Sequence, residues 1–87
     1  MKNILVEEIV IPDDVTYIQS DAFRGYEKLK KVFVGSKVET LGSCAFSECS
    51  NLTDVIISDS VKNINFGTFW YCDKLKNLEM GSSVTYI

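Results

Sequence analysis

The chain has 87 residues, 46% hydrophobic and 24% charged, an ordinary globular composition with room for one small domain. Nine Lys and Arg against twelve Asp and Glu give a formal charge of -3, so the basic surface that grips a phosphate backbone is absent and no nucleic-acid partner is expected. There is no histidine, which removes the commonest general base and the commonest metal ligand together. Catalytic, cofactor-binding and metal residues are therefore all expected to be absent, and an enzyme is not expected.

At the start, Lys2 and the apolar Ile4-Leu5-Val6 begin like a secretory signal, but Glu7 and Glu8 interrupt the run, so no signal peptide is read in this chain. No apolar run reaches the roughly 18–20 residues of a membrane span, and no membrane insertion is expected. Val6, Ile9 and Ile11 then alternate towards Pro12, as a short half-buried strand ending in a turn would. A second extended piece follows at Val15-Thr16-Tyr17-Ile18, and Asp21-Ala22-Phe23-Arg24-Gly25-Tyr26 leads into the next strand, Leu29 to Val34. Gly35 breaks that strand, Val38 to Leu41 extends again, and Ser43 to Cys49 is expected to form a short turn of 3₁₀ or α-helix, with Ser43 accepting backbone hydrogen bonds.

This order repeats. Val15, Val38, Val61 and Val84 fall 23 residues apart, as do Ile18, Leu41, Ile64 and Ile87. The same shift aligns Phe23, Phe46 and Phe69; Ala22, Ala45 and Thr68; Tyr26, Cys49 and Cys72; Leu29, Leu52 and Leu75. It continues through Val32, Val55 and Leu78 and through Val34, Ile57 and Met80. A unit of this length cannot bury its own apolar side, so the copies must stack, each column continuing from coil to coil and the strands lying parallel. The chain divides into a partial repeat at 1–14, repeats at 15–37, 38–60 and 61–83, and a partial repeat at 84–87. No capping unit is read at either end, which predicts self-association through the ends of the stack.

The pattern Leu-x-x-Val-x-Val, a Pro or Gly turn, Val-x-x-Ile and Ala-Phe-x-x-Cys resembles the BspA-like, or Treponema pallidum-type, leucine-rich repeat. The resemblance runs from Val6 to Ile87, and Asp21 to Tyr26 and Cys44 to Cys49 carry its paired signature. Departures are Val6 for Leu, Tyr26 for Cys, Thr68 for Ala, and a single Pro turn. The resemblance implies a right-handed β/α superhelix of short parallel strands and short 3₁₀ or α turns, forming one leucine-rich-repeat segment over 1–87. It also implies a surface or secreted protein used in adhesion to host proteins or other cells, with no catalytic residues.

Function on a solenoid lies in positions that vary between repeats, because the repeated ones are committed to the core. Val10, Phe33 and Ile56 form an outward apolar column on the strand face, closed by Glu79. Such a stripe marks a protein-binding surface, or reflects strand propensity, or is covered by a flanking part of a longer chain. Glu8, Lys31, Asp54 and Asn77 form the neighbouring column and read as structural. The second candidate is Phe66, Trp70 and Tyr71, which stand where the preceding repeat has Ser43, Ser47 and Glu48. Aromatics there point to a protein interface, to stacking on a sugar, or to local packing.

Cys44, Cys49 and Cys72 read as reduced core packing, with a Cys49–Cys72 disulfide as the alternative, and Asn51-Leu52-Thr53 matches the glycosylation acceptor. The leading expectation is a non-catalytic protein-binding or adhesion module whose ligand is a host or matrix protein. The alternative is a structural spacer or self-assembling repeat unit without its own ligand.

Overall fold

A computed structural model describes residues 5–79 and contains seven short strands: β1 Glu8–Val10, β2 Tyr17–Ile18, β3 Lys31–Phe33, β4 Thr40–Leu41, β5 Asp54–Ile56, β6 Asn63–Ile64 and β7 Asn77–Glu79. They fall into two parallel sheets, ordered β1-β3-β5-β7 and β2-β4-β6. Every paired residue meets the one 23 positions on, as in Ile9 opposite Val32, Val32 opposite Val55 and Ile18 opposite Leu41. The sequence period is thus the hydrogen-bond register itself, and the chain winds as a parallel-strand solenoid. Alternation does the rest, turning Val32 and Val55 inward while Phe33 and Ile56 face out.

Inside the coils the apolar columns are buried. Leu29, Val32, Val38, Leu41, Phe46, Leu52, Val55, Val61 and Ile64 are each at most 2% exposed. The phenylalanines stack in a column, Phe23 on Phe46 at 5.3 Å and Phe46 on Phe69 at 5.9 Å between ring centroids, with planes within 11° and 7° of parallel. Burial thins towards both described ends: Val15, Phe23, Phe69 and Leu75 are half-buried, and Leu78, a core column in the sequence, is 37% exposed. Met80, Val84 and Ile87, which continue three of these columns in the sequence, lie outside the described residues.

The third side of each coil departs from expectation. Residues 20–25, 43–48 and 66–71 form runs of turns, with no helix among the described residues. The reason lies in where the amides go. Ala22, Arg24 and Tyr26 donate three residues back, to the carbonyls of Gln19, Asp21 and Phe23, whereas Asp21, Phe23 and Gly25 donate across to Ser43, Ala45 and Ser47 of the next coil. The next coil repeats this: Ala45 and Ser47 bond within, and Cys44, Phe46 and Glu48 reach Phe66, Thr68 and Trp70. Every second amide is spent on the neighbouring coil, so the continuous ladder of a helix cannot form. Ser43 contributes its backbone carbonyl, which accepts from the Asp21 amide at 3.0 Å.

This geometry requires left-handed backbone at two fixed places per coil. Asp21, Cys44 and Gly67 occupy one column at φ of 63°, 58° and 68°; Gly25, Glu48 and Tyr71 occupy the other at 80°, 63° and 60°. Glycine adopts this region freely, while a residue with a Cβ does so at a cost of roughly 1–2 kcal/mol. Polar side chains settle the remaining backbone groups. Thr68, buried in the Ala22-Ala45 column, donates its hydroxyl to the carbonyl of Asn65 at 2.7 Å, with the Gly42 carbonyl 3.2 Å away. Ser58 and Ser60 donate likewise to Gly35 and Val38, and no described buried side-chain polar atom is without a partner.

Candidate functional site

Parallel register brings Val10, Phe33 and Ile56 side by side on the outward face of β1, β3 and β5, with Glu79 of β7 next in line. Val10 is 68% and Ile56 39% exposed, while Phe33 is half-buried. At the β7 end the stripe borders a depression of about 530 Å³ whose walls include Lys31, Phe33, Asp54, Ile56, Asn77 and Glu79. The neighbouring column is held by a hydrogen bond from the Asn77 amide to Asp54 Oδ1 at 2.5 Å, with the Thr53 hydroxyl oxygen 3.3 Å from Asp54 Oδ2. Beside it Lys30 and Glu7 approach to 3.5 Å as an exposed ion pair, of the kind that contributes about 0–1 kcal/mol.

Phe66, Trp70 and Tyr71 lie on the turns that follow β6. Their rings meet edge to face, Phe66 with Trp70 at 4.6 Å and 69°, Trp70 with Tyr71 at 6.3 Å and 67°. All three are exposed, at 64%, 49% and 68%. Gly67 bears on how the indole is seated: a Cβ there would lie 3.2 Å from Trp70 Cδ2 and 3.1 Å from Cys44 Sγ, so any other residue would press the ring or the thiol aside by a few tenths of an ångström. The preceding coil places no aromatic here. Ser47, the counterpart of Trp70, is 1% exposed, and Glu48, the counterpart of Tyr71, pairs with Arg24 at 2.8 Å.

The six candidates therefore form two patches, one carried by a sheet and one by the turns. Sequence reasoning did not single out Tyr17, which is 49% exposed on β2, or Leu5, at 74%. In the sequence Leu5 shares its column with Lys28, Asn51 and Lys74, and Tyr17 shares its own with Thr40, Asn63 and Tyr86, so the recurrence of tyrosine was the one signal on offer. The left-handed columns also went unread, although Gly25 and Gly67 each mark one of them.

All three cysteines are free thiols. Cys49 donates to the Phe23 carbonyl at 3.3 Å and Cys72 to the Phe46 carbonyl at 3.1 Å, so each thiol follows the phenylalanine column one coil back. Burial pushes the Cys72 thiol above its ordinary pKa, with the nearby Asp73 charge adding to the rise. Both polar ends of the Asn51-Leu52-Thr53 motif are engaged, the Asn51 amide donating to the Glu27 carbonyl at 2.7 Å and the Thr53 hydroxyl to that of Lys30 at 3.2 Å. Lys74 adds a bond to Asn51 Oδ1 at 3.1 Å, completing a polar ladder across three coils.

Curated proteins give no match to the chain. Among solved structures, the crystal structure of a leucine-rich repeat protein of T. pallidum is similar, with a TM-score of 0.80 and 21% sequence identity over 92% of this chain. The match spans 50% of that protein's length. At that identity the likeness concerns the fold, and the family comes from the repeat itself. The family model for the BspA type leucine-rich repeat region, in six copies, matches residues 1–87. With its 23-residue register, stacked Phe column and parallel strands, the chain belongs to the BspA-type leucine-rich repeat family.

Proposed function

We propose that the chain is a non-catalytic recognition module, part of a cell-surface or secreted protein, that binds a host or matrix protein in an adhesive contact. The observation that carries this reading is the Phe66-Trp70-Tyr71 patch. The fold has no need of aromatics at those positions, since the preceding coil fills them with Ser43, Ser47 and Glu48. Exposed aromatic groups supply large, rigid contact area and are enriched at the energetic centres of protein interfaces. The Val10-Phe33-Ile56 column offers a second contact surface on the strand face.

Capture by immobilised extracellular-matrix and cell-surface proteins tests the proposal, comparing the wild type with Trp70→Ser/Tyr71→Glu and with Phe33→Thr. The double variant is expected to keep its thermal melt and lose binding at least about tenfold, the weight of one hot-spot residue. Undiminished capture by the double variant would overturn the assignment of the patch. Sedimentation equilibrium at about 0.1 mM separates the alternative, a self-assembling spacer, because association between copies depends on concentration. A dimer dispersed by the same double substitution would place the patch between copies and favour that alternative.

A further inference from the structure

We draw no further inference here: the strongest candidate, the apolar depression of about 370 Å³ on the first coil between Ile11, Val15, Tyr17, Ile18, Ala22 and Phe23, carries nothing because nothing in the structure shows what covers it.

Discussion

Replacing Phe46 by Ala tests the column that joins the coils. Its ring is fully buried and is sandwiched between Phe23 and Phe69, so no solvent-facing side is available for relaxation. Truncating such a ring costs roughly 3–5 kcal/mol, from lost transfer energy and the cavity left behind. A chain of this length has a total stability of about 4–13 kcal/mol at typical values per residue. Phe46→Ala should therefore consume a large part of it. At about 4–8 °C per kcal/mol, the melting temperature should fall by at least ~12 °C. Phe69 is half-buried and stacks on a single phenylalanine, so Phe69→Ala should cost about half as much. Thermal melts and urea titrations followed by circular dichroism read both variants. A Phe46→Ala melt within ~5 °C of wild type would refute the stacked column, and so would a Phe69→Ala loss as large as that of Phe46→Ala.

Four further outcomes are expected. Gly25→Ala meets no neighbour within 4 Å and adds only left-handed strain, whereas at Gly67 a Cβ presses on Cys44 and Trp70; Gly25→Ala should cost about 1 kcal/mol, Gly67→Ala measurably more, and only the latter should shift the emission of Trp70. Equal losses in urea and unchanged emission would show that Gly67 does not seat the indole. Denatured chains should titrate three thiols without reductant, and folded chains should react slowly at Cys72; a single thiol per denatured chain would reveal a disulfide. Because the Cys72 pKa is raised in the fold, its contribution to stability is complete below the unfolded thiol value of about 8.5 and is lost as pH climbs through the higher folded value, so melts should fall from about pH 8.5 upward, less steeply in Cys72→Ala. Tyr71→Gly should raise stability by up to about 1 kcal/mol by relieving the left-handed backbone, while weakening ligand capture; lowered stability would mean that the Tyr71 ring holds the turn together.

The stacking was legible because burial is repetitive. Val32, Val55 and Leu78 must occupy one column for parallel strands to share a core, and the sequence spells that column at a fixed spacing. The third side was not legible in the same way, because its conformation is decided between coils. Read alone, Ser43 to Cys49 has the residues of a helical turn. What prevents the helix is the carbonyl of Phe66 taking the Cys44 amide and that of Thr68 taking the Phe46 amide, partners 22 residues away that no local propensity reports. The candidate surface was readable as an interruption of the pattern at Phe66, Trp70 and Tyr71. Its seating on Gly67 was hidden because an isolated glycine in one repeat does not reveal that Asp21 and Cys44 share its left-handed backbone.

Those left-handed columns set what the fold demands against what this chain adds. Among the described residues six hold positive φ, and of these only Gly25 and Gly67 hold it without a Cβ. The others differ in what offsets the strain. Asp21 and Glu48 both reach Arg24, at 3.4 Å and 2.8 Å, tying the first two coils together. Cys44 is partly covered, and its thiol faces the Phe66 carbonyl at 3.9 Å. Tyr71 holds the same backbone with its ring 68% exposed and in edge contact with Trp70. Burial supplies little return there, and a glycine would satisfy the turn, as Gly25 does in the same column. Strain retained at an exposed aromatic is understandable when the side chain serves a contact outside the fold. The Gly67 that seats Trp70 and the strained Tyr71 beside it therefore support one interpretation: the turns after β6 are shaped around an outward aromatic surface, while the columns beneath them keep the repeat.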